Sequence, residues 1–347
     1  MANPGIPIEE VVRRYNAWIA CGQSYRAAGN TLGVTRHGIK SAVIRYEKEI
    51  EGKKGAITIP DFGEDDIPVD DIIDQQCERY EQRKAHHNAQ QFFPVGVHSD
   101  GPILLAFVGD PHVDADGCNW PLLRRDCQIL RDTPNAYAVN IGDSHNNWAG
   151  RLMALYASQE TSKKTAYKLV HWLFKDSGVD WLFWLAGNHD AWGDGMAVLY
   201  EMSRGAAPVF DWQAKFELTF DNGRVCPIHA AHSFKGTSIY NPGHGMLRAA
   251  KFSQHCPRIF AQGHHHEYWL HQGVYEDLDQ TYFGMKVRGY KWIDHYADLH
   301  QFGSNSHGAT GAFVIDPRVS EDNPGYIRGF DDLALAADFL AYLKDKA

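Results

Sequence analysis

The sequence predicts a layered α/β domain that follows a small all-α N-terminal domain. From "GPILLAFVGD" onward, short apolar runs with β-forming residues alternate with longer amphipathic segments, as expected where strands and helices pack in layers. Before that point, apolar residues recur at helical spacing. Charge also separates the two parts: residues 1–54 have a net charge of +4, whereas the whole chain has −9.

Residues 1–54 predict a helix-turn-helix domain. Apolar positions in residues 8–20 repeat at helical spacing, Gly33 suits a tight turn between two further helices, and Thr35 can cap the second of them. Gly29 stands where such motifs usually have alanine, which lowers the helix propensity. The second helix would present four basic side chains to a DNA groove: Arg36, His37, Lys40 and Arg45. A three-helix cap with a solvated basic face is the alternative.

Residues 55–98 predict a connector between the two domains. Residues 61–74 carry seven acidic side chains and no basic one, and residues 70–91 have the composition of a polar helix. We expect the next domain to span residues 99–318 and a C-terminal helix to lie within residues 319–347. These changes in composition indicate separate modules.

Composition excludes several classes of protein. No apolar stretch is long enough to span a membrane, and the first residues include acidic side chains where a signal peptide needs an apolar run. The six cysteines are scattered without a CxxC pair, so we expect reduced thiols in a cytoplasmic protein and not zinc ligands. The net charge of −9 argues against a protein that coats nucleic acid along its whole surface.

Imidazole, carboxylate and amide side chains follow five apolar runs, among them the run in "RIFAQGHHHEYW". In chain order these groups are Asp110 and His112, Asp143, Asn188 with His189 and Asp190, His229 and His232, and His264 and His266. The carboxyl ends of strands in an α/β sheet gather such groups at one edge. Imidazoles, carboxylates and one amide, without a thiolate, suit Mn, Fe, Zn, Co or Ni. Their number suits two ions that share a bridging carboxylate.

The order of these groups resembles that of the calcineurin-like metallophosphoesterases. The motifs read here "DPH", "GDSH", "GNHD", "AAHSF" and "GHHH", and the resemblance covers roughly residues 100–315. Wider segments such as "HSFKGTSIYNPGHG" look similar to phage and prophage members with a helix-turn-helix at the front. The resemblance implies a β-sandwich flanked by helices, an αββα fold, after the small N-terminal domain.

The resemblance also implies a role for each matching residue. The first metal is bound by Asp110, His112 and His266, Asp143 bridges both metals, and the second metal is bound by Asn188, His232 and His264. His189 protonates the leaving group, and Asp190 orients His189. His229 is the rival of His232 at the lone-histidine position, and His265 is expected to face away from the metals.

The implied reaction is hydrolysis of a phosphate ester by a hydroxide that bridges two divalent metal ions. Manganese is the first expectation, with iron, zinc, nickel or cobalt as alternatives. Asn147, Arg151 and His145, which lie near the bridging aspartate in the sequence, are candidate substrate contacts. The basic N-terminal domain favours a phosphodiesterase or nuclease that acts on DNA.

Two alternatives to a DNA-directed enzyme stay open. One is a broad-specificity small-molecule phosphatase whose N-terminal domain assembles oligomers. The other is a catalytically inert, DNA-binding phage regulator or assembly factor. A membrane partner is not expected.

Overall fold

The computed structural model describes residues 5–49, 67–89, 91–292 and 310–346. Residues 55–66 of the connector predicted over residues 55–98 lie outside the described residues, as does the stretch 293–309 of the domain predicted over residues 99–318. The chain divides into two compact units, one that extends to Gln76 and one that begins at Cys77.

Residues 5–49 of the first unit form three helices around one small core. They are α1 (Ile8–Ala20), α2 (Tyr25–Leu32) and α3 (Arg36–Glu49). Their buried side includes Val11, Ala28, Ile39, Ala42 and Val43. Gly33 ends α2 in the left-handed conformation with a φ of 68°, and Thr35 Oγ1 accepts the N–H of Gly38 at 3.1 Å. The predicted all-α character of this segment is confirmed.

Close packing explains the glycine at position 29. A Cβ atom there would lie 2.7 Å from the carbonyl oxygen of Val34, closer than real Cβ contacts come. The alanine that is usual at this position would therefore force the turn between α2 and α3 to move. A glycine inside a helix costs about 1 kcal/mol relative to alanine, and the tight α2–α3 packing offsets this cost.

A long helix, α4 (Val69–Ala89), follows, and its side chains are exposed along its length. It corresponds to the predicted polar helix. Four acidic residues, Asp70, Asp71, Asp74 and Glu78, lie in its first half, and its second half contains Glu81, Arg83 and Lys84.

Two six-stranded sheets form the centre of the second unit. The first sheet has the order β1 (Phe93–Val97), β6 (Gln213–Phe220), β7 (Val225–Ala231), β8 (Ile259–Gln262), β10 (Gln280–Lys286) and β9 (Trp269–Tyr275). The second has the order β12 (Ile327–Phe330), β11 (Gly311–Ile315), β2 (Ile103–Val108), β3 (Ala136–Asn140), β4 (Trp181–Ala186) and β5 (Val209–Asp211). The inner faces of both sheets share one hydrophobic core.

Helices cover the outer faces of this sandwich. The second sheet packs against α5 (Trp120–Asp132), α6 (Lys163–His171), α8 (Gly195–Ser203) and α10 (Leu333–Asp345). The first sheet packs against α9 (His244–Lys251). A 3₁₀-helix (Gly150–Ser158) and a short π-helical segment (Trp172–Asp176) complete this side of the unit. The predicted helix-flanked β-sandwich, αββα, is confirmed.

The parallel pairs in each sheet determine where the strands end together. In the second sheet, β2 pairs in parallel with β3, and β3 pairs in parallel with β4. In the first sheet, β7 pairs in parallel with β8. The carboxyl ends of these strands therefore lie at common edges, where the loops that follow them can meet.

The C-terminal segment, predicted as a helix within residues 319–347, contains a strand as well. Residues 327–330 form β12, which pairs antiparallel with β11. The following helix, α10, buries Leu333, Ala336 and Leu340 in the helix-covered core of the second sheet. Four residues are too few to show a period-2 pattern, which is why the sequence analysis missed this strand.

Candidate metal centre

The predicted polar groups lie on loops that begin where strands end. Asp110 follows β2, Asp143 follows β3, and His264 follows β8 after a single glycine. Asn188 begins a one-turn helix, α7 (Asn188–Ala191), directly after β4, and His232 directly follows β7. The apolar residues of each run are thus buried as strand, and the polar groups emerge at its end.

The described residues contain three groups of potential metal ligands. Within each group, the ligand atoms lie within 4.8 Å of one another. These groups are Asp110 with His112 and His266, Asp143 with His232 and His264, and His112 with Asp143 and His189. Asn188 joins the second group, because its Oδ1 lies 3.0 Å from Nε2 of His232. The structure therefore brings together all seven predicted metal ligands, and Asp143 lies where the groups meet.

Histidines 264 and 266 belong to different groups, the division that the family resemblance implies. His266 lies with Asp110 and His112, whereas His264 lies with Asp143 and His232. His265, between them, is assigned to no group, and its ring packs against that of His264 with centroids 4.7 Å apart.

The rival histidines at the lone-histidine position lie in different surroundings. Nδ1 of His232 donates to the carbonyl oxygen of Ile141 at 2.7 Å, which turns Nε2 toward Asp143 Oδ2 at 3.4 Å. His229 points elsewhere, and its Nε2 lies 2.9 Å from Gln213 Oε1. A backbone partner of this kind fixes the tautomer that leaves the other ring nitrogen available to a metal. The geometry therefore favours His232.

Five of the predicted ligands have left-handed backbone conformations. The φ angles are 45° at Asp110, 41° at His112, 52° at Asp143, 72° at His264 and 52° at His266. Such angles cost roughly 1–3 kcal/mol each for residues other than glycine and cluster at functional sites. The surrounding sandwich stabilises this backbone, and its concentration at one site indicates a function for these residues.

Two glycines let the loops approach closely. A Cβ at Gly142 would lie 2.6 Å from the backbone nitrogen of Gly187 and 2.7 Å from Nδ1 of His232. A Cβ at Gly187 would lie 2.2 Å from Oδ1 of Asp143. Side chains at these positions would push apart the loops after β3, β4 and β7.

His189 lies beside Asp143, but its orientation differs from the prediction. Its Nδ1 donates to the carbonyl oxygen of Asn146, so Nε2 faces Asp143 Oδ2 at 4.0 Å. The carboxylate of Asp190 instead accepts the backbone N–H of Gly187 at 2.9 Å and that of Ser144 at 3.1 Å.

Asp190 is expected to orient His189, but its carboxylate binds the backbone of the neighbouring loops, so its effect on the imidazole is indirect. Adjacent residues on a helical turn such as α7 point about 100° apart, which separates the two side chains. Asp190 links the loop after β3 to the turn after β4. The carbonyl of Asn146 orients the imidazole of His189.

The three predicted substrate contacts lie in different surroundings. Asn147 donates its side-chain amide to the carbonyls of His189 at 2.9 Å and Trp192 at 2.7 Å, so it supports the histidine turn. His145 is buried, and its Nδ1 lies 3.5 Å from Asp190 Oδ1. Arg151 is exposed on the 3₁₀-helix.

Sequence analysis missed three residues next to the metal centre. Trp148 packs its ring edge-on against His189 with centroids 5.2 Å apart, and Asn146 supplies the carbonyl described above. Nζ of Lys291 lies 5.1 Å from the centre of the Trp148 ring. Trp148 and Lys291 belong to none of the five motifs.

Burial and neighbouring charges change the pKa values of the two carboxyl groups in opposite directions. Burial raises the pKa of Asp110 to about 8, and the His232 imidazolium opposes only part of this shift. Burial alone would also raise the pKa of Asp143, but the surrounding imidazoles, His232 foremost, lower it overall. Burial lowers the pKa of His232, yet Asp143 and Asp110 outweigh it and raise that pKa to about 9.

The other imidazoles in the centre favour the neutral form. Burial lowers the pKa of His264 and of His266 to about 4, and it lowers that of His112 well below the ordinary value. Neutral imidazoles are the form that binds metals.

The donors fit bound divalent metal. Asp110 Oδ1 and His112 Nδ1 are buried and have no hydrogen-bond partner among the described residues. A buried polar atom without a partner is costly in a folded protein. A bound cation would satisfy the carboxylate oxygen and neutralise charge between Asp110 and Asp143.

No protein-family model matches the sequence, and no curated protein matches it. Solved structures that the chain resembles include an NAD nucleotidase from Haemophilus influenzae, with 11% identity and a TM-score of 0.36 over 66% of this chain and 49% of that chain. Vps29 from Cryptosporidium parvum has 11% identity and a TM-score of 0.34, over 66% and 96% of the two chains. The nuclease MPE from Pseudomonas putida has 14% identity and a TM-score of 0.30, over 65% and 87%.

The chain spans about half of the length of the NAD nucleotidase. Likenesses at these values carry no argument about activity, which must come from the residues of this chain. Among the residues that the structure describes, every helix is too short or too polar to cross a lipid bilayer.

We predict that the metal-free protein loses stability between pH 6.5 and pH 9, by roughly 1–3 kcal/mol. The pKa of His232 is raised from 6.5 to about 9 on folding, so its stabilising contribution is complete below pH 6.5 and is lost as the pH rises through 9. Asp110, with a pKa raised to about 8, acts in the same direction. Urea unfolding in EDTA at the two pH values measures the decline.

The control distinguishes His232 from its rival. His232→Asn should remove most of the decline, because asparagine does not titrate. His229→Asn should leave the decline unchanged, because burial lowers the pKa of His229 to about 3 and its ring is neutral throughout this range. Equal declines in wild type and His232→Asn would show that His232 is not paired with the buried carboxylates.

Proposed function

We propose that this protein is a phosphoester hydrolase that uses two divalent metal ions. One observation carries the proposal: two groups of potential ligands lie side by side around Asp143 in a single buried centre. A phosphoryl group can be bound between two cations, and two-metal sites of this kind are common in phosphatases and nucleases.

The proposed first ion is bound by Asp110, His112 and His266, and the second by Asn188, His232 and His264, with Asp143 between them. This donor set contains nitrogen and hard oxygen atoms, which suits manganese first and also iron, zinc, nickel or cobalt. When bound, the two ions supply Lewis acidity toward the phosphoryl oxygens and lower the pKa of a water molecule.

His189 is the proposed general acid. The Asn146 carbonyl accepts from Nδ1, so Nε2 is the atom that faces the centre and can carry the transferred proton. That proton passes to the oxygen of the leaving group, which then departs as a neutral alcohol. General-acid catalysis of this kind contributes typically ~10²–10⁴-fold to the rate.

We further propose a phosphodiester in DNA as the substrate. The support comes from the first unit, where Arg36 and His37 are exposed on α3 and Lys40 lies half-exposed one turn later. Arg45, which the sequence suggested as a fourth DNA contact, does not support this proposal. Its guanidinium donates to the carbonyl of Ile6 at 2.6 Å and pairs with Glu49 at 2.9 Å.

One observation favours an assembly role for the first unit instead. Ile8, Ile19 and Ile44 expose 39%, 46% and 45% of their surfaces. Exposed apolar side chains that lie on one face are typical of protein–protein contacts, and Ile8 and Ile19 share a face of α1 because about three helical turns separate them. The alternative function is therefore a broad-specificity phosphatase whose N-terminal unit forms oligomers.

A cytoplasmic location is also proposed. All six cysteines are free thiols, which supports a reducing compartment. The phage or prophage origin that the sequence resemblance implies stays a prediction, as does an inert regulatory role.

We predict that His189→Ala retains both metal ions but loses ~10²–10⁴-fold in turnover, because it removes the proton donor and leaves every proposed ligand in place. Asp143→Ala should lose metal as well as activity. Metal content is measured on the purified proteins, and turnover is measured on p-nitrophenyl phosphate and its bis ester with added Mn²⁺.

His98→Ala is the matched control, because its side chain is 89% exposed and pairs with Asp221 on the surface. It should behave as wild type. Full metal content and full activity in Asp143→Ala would remove the proposed central role of this carboxylate.

We predict that the double variant Arg36→Ala/His37→Ala weakens duplex-DNA binding by about tenfold or more. Loss of phosphate contacts should also lower the salt dependence of binding, by about one in the log–log slope for each contact. Fluorescence anisotropy across a series of salt concentrations measures both effects.

Arg13→Ala, on the exposed side of α1, is the control and should bind DNA as wild type does. Unchanged DNA binding in the double variant would argue against groove contact by α3. A shift to smaller species in Ile44→Asp, seen by sedimentation, would favour the assembly role.

A further inference from the structure

Lys291 lies beside the metal centre on a segment that no motif marks. It is half-buried and lies five residues after the end of β10. The N–H of Tyr290 donates to the carbonyl of Asp110 at 3.1 Å, and the N–H of Trp292 donates to the carbonyl of Gly117 at 2.9 Å. The backbone around Lys291 is therefore fixed against the loop that begins at Asp110.

A buried tyrosine anchors this segment further. The hydroxyl of Tyr290 donates to Asp126 Oδ2 at 2.7 Å, and its carbonyl accepts the N–H of Asn119 at 2.7 Å. Both partners belong to the start or the interior of α5. Supporting contacts of this kind reduce the movement of the adjacent side chain and position it for binding.

The ammonium group of Lys291 has the same neighbours as His189. Its Nζ lies 3.5 Å from Oδ1 of Asn146, whose carbonyl oxygen accepts from His189. Trp148 contacts Nζ with its ring centre at 5.1 Å and packs its ring against His189 at 5.2 Å. The positive charge and the proposed proton donor therefore contact the same two residues.

We propose that Lys291 is a substrate-binding residue whose ammonium donates to a non-bridging oxygen of the scissile phosphate. The inference rests on the proposed hydrolase function and replaces Arg151 and His145 as the phosphate contact. An ammonium has three N–H donors, so a contact with the substrate can be added to the contacts that Lys291 makes within the protein.

A lysine that binds phosphate should affect the KM and the phosphate affinity more than kcat. A charge-assisted hydrogen bond contributes roughly 1.5–3 kcal/mol, which corresponds to about 10–100-fold in affinity. A contact made equally in the bound substrate and in the transition state appears in KM and not in kcat. Lysine also binds phosphate as a point charge, so arginine should substitute for much of its effect.

The test uses full-length, metal-loaded Lys291→Met and Lys291→Arg. Methionine has similar length without the charge, so Lys291→Met should raise the KM for bis-p-nitrophenyl phosphate and the dissociation constant of inorganic phosphate by about tenfold or more. Phosphate binding is measured by calorimetry, independently of turnover. Lys291→Arg should recover most of both losses, and metal content should equal that of wild type.

Lys251→Met is the matched control, because Lys251 is exposed at the end of α9. It changes the net charge by the same amount and should leave both constants unchanged. If Lys291 only held Asn146 and Trp148 in place, kcat would fall and phosphate affinity would stay constant, and that result would overturn the inference.

The outcomes separate this inference from the proposed function. If the wild type is active and Lys291→Met binds phosphate as tightly as the wild type does, the role of Lys291 is overturned. The hydrolase proposal then stays intact. Wild type that hydrolyses neither the monoester nor the diester with any of several divalent metals overturns both.

Discussion

A buried carboxylate surrounded by imidazoles is the constraint on which the rest of the larger unit depends. Asp143 lies within ligand distance of histidines from four other loops, and a second buried carboxylate, Asp110, lies nearby. Two carboxylates removed from water are unfavourable unless cations compensate them. In the metal-free protein a proton on His232 partly fulfils this role, which is why its pKa is raised while those of the outer histidines are lowered.

The ligand side chains can converge because the strands that precede them end close together in the sandwich. Parallel pairing places the ends of β2, β3 and β4 at one edge of the second sheet. His232 and His264 follow β7 and β8, which pair in parallel in the first sheet. The ligand loops leave these ends with left-handed backbone at Asp110, Asp143 and His264. Such backbone is unfavourable on its own. The hydrophobic core shared by the two sheets supplies the stability that offsets it.

Features that depend on residues close together in the sequence, such as strand ends and turns, could be predicted. Apolar runs followed by polar groups indicated which side chains would lie at strand ends, and Gly33 and Thr35 indicated the turn in the first unit. Features that depend on packing between distant segments were not predictable. The contact of Gly29 with Val34, the support of His189 by Asn146 and the approach of Lys291 to Trp148 arise only when the chain folds.

The central claim is that the converging side chains bind a pair of metal ions. Crystals grown with Mn²⁺ and measured at the manganese absorption edge test it most directly. The account predicts two anomalous peaks per chain, about 3.5–4 Å apart, one beside His112 and one beside His264, with Asp143 in contact with both. Absence of both peaks, or a single ion away from Asp143, would contradict the account.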